Sequence, residues 1–267
     1  MAAGQRAKAE ELRRLHEAAE LLVLVNVWDV ASARVVAGTP GCRAIATASW
    51  SIAAALGFRD GEQLPREDMI AAVGRIAAAV DQPVTADLET GFGATAAEVG
   101  ETIAAAIEAG AVGCNLEDGL KKGEVSLRPV AEHAERVAAA RTAGERADVP
   151  LVINARTDVY LARAGEEGER LELALERGRA YLDAGADCIF VPGLAELETL
   201  ERLVAELGSV SVLAGAHGPA LDDLRTIGVR RVSFGPGPMG VALASLRDAA
   251  VKLHAGGALP ETLGWRP

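Results

Sequence analysis

The strongest constraint on the fold is an alternation that runs from one end of the chain to the other. Short β-branched, apolar runs occupy 21–27 (LLVLVNV), 44–49, 83–89, 112–117, 150–156, 187–193, 209–215 and 230–237. Between them lie amphipathic helical stretches over 66–80, 96–109, 130–143, 167–184, 197–207, 220–227 and 240–253. Uninterrupted apolar strands joined by helices belong to parallel sheets covered on both faces. Helices ending in AGA at Glu108–Ala111 and Asp183–Ala186, and in IGV at Ile227–Val229, place glycine where a helix stops before the next strand. Eight such β–α units predict a (β/α)8 TIM-type barrel, preceded by an N-terminal helix in MAAGQRAKAEELRRLHEAAE. A doubly wound sheet would need a glycine-rich turn after its first strand, and NVWDVASA contains no glycine. No linker or shift in composition divides the chain, so one domain over 1–267 is expected.

Half the residues are hydrophobic and only 3% aromatic, so Ala, Val, Leu and Ile must build the core. A formal charge of −11 argues against nucleic acid or an anionic membrane as partner. Cys42, Cys114 and Cys188 are scattered, without a CxxC pair, and Cys114 and Cys188 read as small core residues. The N-terminus has no apolar signal core and no run is long enough to span a bilayer, so a cytoplasmic enzyme is expected.

In a barrel of this kind reactive groups sit at the C-terminal ends of the strands. There the sequence puts Asp29, Ser49 to Ser51, Asp87 with Glu89 in TADLETGFG, Glu117 with Asp118 in NLEDG, Arg156 with Asp158, and His217. Asp87 and Glu89 are two apart, which on a strand sends both side chains to one face. Converging carboxylates repel one another unless a cation lies among them, and all-oxygen ligation suits Mg²⁺ or Mn²⁺. The alternative is that these acids cap the following helices. His217 is a candidate general acid or a surface residue; His16, His133 and His254 fall on helices and read as solvated. SFGPGPMG after the last strand is open to two readings, a phosphate-binding loop or the start of the final helix.

NVWDVASARVV, ATASWSIAAALGFRDGE, TADLETGFG, AGAVGCNLED, VINARTD and AGADCIFVPG together resemble the isocitrate lyase/phosphoenolpyruvate mutase superfamily, in order and over roughly residues 21–250. The resemblance implies a modified (β/α)8 barrel, a homodimer or homotetramer with the last helix exchanged between subunits, and Mg²⁺-dependent chemistry beside a 2-oxo acid or enolate. It implies further that Asp87 holds the ion directly and that Glu89 and Glu117 act through ordered waters. By the same resemblance Asp60, in LGFRD, would face the metal, and it is the candidate base for a substrate hydroxyl. Ser49 and Trp50 take a substrate carboxylate or phosphonate, and Arg156 pairs with a carboxylate or a developing oxyanion.

The chain departs from the family's better-known patterns in one loop. Isocitrate and methylisocitrate lyases are similar in a K-K/R-C-G-H loop after the LED strand; here the chain reads LEDGLKKGEVSLRP, without Cys or His. Phosphoenolpyruvate mutases are similar in EDK, five residues, then NS; here the Lys is Gly119 and the Asn is Val125, and Pro192 stands where a His is common. Lys121 and Lys122 are either a mobile lid or solvated loop lysines. The expected activity is a Mg²⁺-dependent C–C lyase or decarboxylase on a small 2-oxo or 2-hydroxy di- or tricarboxylate, oxaloacetate-like. The alternatives are a P–C bond enzyme, a phosphosugar-type barrel, and a silent carboxylate-binding barrel.

Overall fold

The computed structural model describes residues 2–120, 126–216 and 218–259. Lys121, Lys122, Val125, His217 and the end of the terminal segment GALPETLGWRP therefore lie outside the described residues. Nine parallel strands follow in chain order: β1 (Leu22–Leu24), β2 (Asn26–Val27), β3 (Ile45–Thr47), β4 (Val84–Asp87), β5 (Gly113–Glu117), β6 (Val152–Arg156), β7 (Cys188–Phe190), β8 (Val210–Leu213) and β9 (Arg231–Ser233). Their order, β1-β9-β8-β7-β6-β5-β4-β3-β2, runs around a barrel in sequence. The first expected strand is split: its lower half, β1, pairs with β9, and its upper half, β2, pairs with β3. One run of chain thus closes the barrel from both sides, and the eight-strand expectation holds.

The helices follow from simple local chemistry. After β4 the chain enters Ala96–Glu108 through a capping box, with Thr95 and Glu98 exchanging side chain and backbone. Gly110 at φ 104° and Gly185 at φ 106° end their helices in the left-handed region, as the AGA repeats predicted. The interior is aliphatic, with Cys114 and Cys188 among its buried small residues. Cys114 is pushed up to about 12 and Cys188 up to about 11 by burial.

The helix Ala2–Glu17 lies across the N-terminal ends of the strands, where Leu12 fills the space above Gly113. His16 is buried on this helix, and its Nδ1 lies 2.8 Å from Leu12 O. His133, on the helix Val130–Arg146, is also buried and meets Tyr181 edge to face at 4.6 Å. Both overturn the expectation of solvated rings. Each lies on the packed stripe of its helix, His16 one turn after Leu12 and His133 one turn before Val137. Burial lowers the His16 ring to about 3 and the His133 ring to about 4, so both are neutral. His254 is exposed as expected. The final helix, Gly237–His254, leaves Val241, Leu246 and Val251 largely exposed. No helix among the described residues is long and apolar enough to cross a membrane.

Candidate active site

At the C-terminal mouth the strands deliver their acids, and none of the three candidate metal ligands is a helix cap. The helices after β4 and β5 start from Thr95 and Pro129 instead. Asp29 does take the capping role: its Oδ1 accepts from Ser32 N at 2.7 Å, at the start of Val30–Ala37.

Asp87 ends β4, with its backbone N–H donating to Thr47 Oγ1 at 2.8 Å. Its Oδ2 accepts from Ser49 N at 3.0 Å and from Ser49 Oγ at 2.9 Å. Ser49, which opens the helix Ser49–Ala55, is thereby turned toward Asp87, and the neighbouring Trp50 is half exposed at the rim. Glu89 lies beyond the strand end. Its φ of 52° is left-handed, so strand alternation does not set its direction, and the same-face argument from spacing fails. Its carboxylate is buried, with Oε2 accepting from Gly61 N at 3.0 Å and Glu62 N at 2.8 Å. Asp60 is exposed in that same turn. Glu117 ends β5, buried, and its N–H donates to Glu89 O at 2.8 Å, so the two acids stand on adjoining backbones.

Arg156 ends β6 and is the pivot of the site. Its Nη1 meets Glu117 Oε2 at 2.6 Å, Nε meets Asp158 Oδ1 at 2.6 Å and Nη2 donates to Asp158 Oδ2 at 3.2 Å. The guanidinium lies 5.9 Å from the Phe190 ring centre. Burial works against the Arg156 charge, but Glu117 and Asp158 more than offset it, and its pKa is held above the ordinary value. Burial pushes the Asp158 carboxyl up to about 6 against the pull of Arg156, with Glu117 adding to the rise.

Asp118 stands apart from its neighbour. Fully buried, it accepts from Asp158 N at 2.9 Å, from Arg177 Nη1 at 2.9 Å and from the Tyr181 hydroxyl at 2.7 Å. It fixes the backbone of Asp158, and so indirectly the grip on Arg156. The loop after β5 is pinned at its base, where Leu120 N donates to Ser126 O at 2.9 Å and Arg128 N to Asp118 O at 2.8 Å. The SFGPG segment has its amides already engaged: Phe234 N and Gly235 N donate to Asn26 Oδ1 at 2.8 and 2.9 Å. That use leaves the phosphate-loop reading without its donors.

Sequence reasoning missed Glu62. Its Oε1 accepts from Thr90 N at 3.0 Å, Thr90 Oγ1 at 2.6 Å and Phe92 N at 3.0 Å. Nothing in LGFRDGEQ signals such a reach, because the partner turn is distant in sequence.

The sequence model of the phosphoenolpyruvate phosphomutase family matches residues 12–254. The chain belongs to that family. With it the chain falls in the isocitrate lyase/phosphoenolpyruvate mutase superfamily, as the motifs predicted. A solved structure from Burkholderia cenocepacia J2315, whose phosphonomutase label is provisional, is 47% identical, with a TM-score of 0.87 over 92% of this chain and 98% of that one. An oxaloacetate acetylhydrolase, solved with its product oxalate, is 27% identical at a TM-score of 0.85, over 97% and 91%. The 2,3-dimethylmalate lyase of Eubacterium barkeri is 28% identical over 250 residues, 90% of this chain and 84% of that protein. The chain is accordingly an enzyme of the lyase and mutase type that makes up this superfamily.

Proposed function

We propose that this protein is a Mg²⁺-dependent carbon–carbon lyase or decarboxylase of a small 2-oxo or 2-hydroxy di- or tricarboxylate, with oxaloacetate as the type substrate. The observation that carries this reading is the Arg156 guanidinium, held in place by Glu117 and Asp158 beside the acids of β4 and β5.

The donor set fits a hard cation: carboxylate oxygens from two neighbouring strand ends, without Cys or His. Among the described residues no three His, Cys, Asp or Glu side chains form a direct cage. On the family's pattern Asp87, oriented by Ser49, would be the one direct ligand, with Glu89 and Glu117 each a water away. A bound Mg²⁺ would supply an electron sink for a 2-oxo acid.

The protein's own groups do the rest. Arg156, charged at every working pH, pairs with a substrate carboxylate or with the oxyanion as negative charge develops. Its planar fork is already oriented, so little reorganisation accompanies the reaction. Asp60, exposed in the turn that clasps Glu89, would act on a substrate proton. Half-exposed Trp50, and Ser49 buried against Asp87, would take the substrate carboxylate.

The family name and the provisional label of the Burkholderia relative favour a P–C bond enzyme as the second reading. One feature counts against it. At Gly119, where the mutases carry Lys, an added Cβ would stand 2.5 Å from Asp158 Oδ2. A longer side chain there displaces the carboxylate that holds Arg156.

The exposed apolar residues of Gly237–His254 support a homodimer or homotetramer in which a second copy covers that helix. The test of function is a turnover screen of oxaloacetate, dimethylmalate, 2-methylisocitrate, isocitrate and phosphonopyruvate, with Mg²⁺ and with EDTA. EDTA-sensitive pyruvate or oxalate from oxaloacetate, or cleavage of a branched hydroxy acid, is the expected result. Phosphate release from phosphonopyruvate alone moves the assignment to P–C chemistry, and silence on all of them moves it to a carboxylate-binding barrel.

A further inference from the structure

Two turns at the mouth hold each other by reciprocal carboxylates. Glu89, from the turn after β4, receives the N–H groups of Gly61 and Glu62. Glu62, from the turn that also carries Asp60, receives the N–H groups of Thr90 and Phe92 and the Thr90 hydroxyl. Five amide and hydroxyl donors thus converge on two carboxylate oxygens, a charge-assisted arrangement stronger than ordinary loop hydrogen bonding.

The backbone here is strained. Five described non-glycine residues have positive φ, and three of them belong to this clasp: Glu62 at 57°, Glu89 at 52° and Phe92 at 53°. Side-chain-bearing residues persist in that region only where surrounding contacts over-determine them. The 90–94 turn is also held from behind, since buried Arg136 donates to Gly93 O at 2.9 Å and Ala94 O at 2.7 Å. With its carbonyls anchored to a helix and its amides gripped by Glu62, this turn is a fixed post to which the Asp60 turn is tied.

We propose that Glu62 is a positioning residue that locks the Asp60 turn to the Glu89 turn, so that acids from two separate loops keep one fixed geometry around the cation. The inference rests on the metal reading above for its consequence, and on hydrogen bonds alone for the lock itself. Loss of a carboxylate that orients metal-facing groups commonly weakens metal affinity by about 10–100-fold.

The experiment compares wild type with Glu62→Ala and Glu62→Gln, reading amide hydrogen exchange without metal and Mg²⁺ binding by calorimetry. In Glu62→Ala the amides at 90 and 92 lose their acceptor and exchange faster in any case. The lock further requires faster exchange at 61 and 62, whose acceptor Glu89 is untouched, and a rise of about tenfold or more in the Mg²⁺ dissociation constant. Glu62→Gln keeps one carbonyl oxygen and falls between the other two; if Glu62→Ala fails to fold, faster exchange at 61 and 62 in Glu62→Gln decides. Unchanged exchange at 61 and 62 overturns the proposal, whatever happens at 90 and 92. Wild-type protein that takes up no Mg²⁺ overturns the metal assignment alone, and the exchange at 61 and 62 still decides the lock.

Discussion

The two ends of the barrel use the same ion-pair chemistry in opposite proportions. Below β7, one acid serves two cations: Asp187 meets Arg13 at 2.8 Å and Arg141 at 2.6 Å, and also accepts from Ile153 N at 2.7 Å. At the mouth, one cation serves two acids, Arg156 between Glu117 and Asp158, with Asp87 at the end of β4. The lower cluster ties the N-terminal helix and the helix Val130–Arg146 to β6 and β7, and Arg141 adds bonds to Gly185 O and Leu151 O. Its parts come from four elements and it joins them. The upper cluster comes from strand ends and joins little; it gathers negative charge around one guanidinium at the C-terminal ends of the strands. Like-charge crowding is costly in a folded protein unless something uses it.

The comparison breaks most decisively at Asp87. Asp87→Ala should lower kcat about a thousandfold while the melting temperature moves by no more than about 2 °C. Steady-state kinetics beside calorimetric melting checks this, and turnover within tenfold of wild type removes Asp87 from the chemistry. The lower end should answer in the opposite currency. Asp187→Ala leaves Arg13 and Arg141 without their acid and should cost roughly 2–3 kcal/mol of stability, with kcat within about twofold. Urea unfolding measures the first and kinetics the second; lost activity at unchanged stability would make the lower cluster functional and end the contrast.

The strands were legible because β-branched runs separated by capped helices have few other solutions, and all eight appear where the pattern put them. The split at Val25 was not, because which neighbour each half of the first strand takes is decided by barrel closure. Asp87, Glu117 and Arg156 were legible as strand-end residues, and the family motifs added their expected roles. For Glu89 the spacing argument assumed strand geometry, whereas the backbone there is left-handed and the Gly61 and Glu62 amides hold the side-chain carboxylate. His16 and His133 were misread although the signal existed, since each continues a stripe of buried apolar positions. Glu62 had no local signal at all. A carboxylate that reaches a turn about thirty residues away is fixed by tertiary structure, and sequence order does not reveal it.

A finer cut tests whether the mouth depends on the grip of Asp158. Gly119→Ala puts a methyl group 2.5 Å from Asp158 Oδ2, which must then shift its hold on Arg156. A fall of about tenfold in kcat/KM with little change in melting is expected, given how steeply catalysis depends on position. Kinetics equal to wild type would mean that the carboxylate moves without consequence and that the grip is looser than its distances suggest.

The smallest expected effect concerns acid and base. Burial raises the Asp158 carboxyl to about 6 in the folded protein, from an ordinary 3.8. Between those values the folded chain keeps a proton that the unfolded chain has released. The contribution of this group to stability is therefore fully present below pH 3.8 and is lost as pH rises through 6. Asp158→Asn removes the titration and with it that loss. The wild-type stability curve should drop relative to the variant between pH 4 and pH 7, by on the order of 1 kcal/mol, a discounted figure because attraction to Arg156 offsets much of the burial cost of the charged carboxylate. Urea unfolding of both proteins across that range reads the difference, and parallel curves would show that Arg156 holds Asp158 ionised despite its burial.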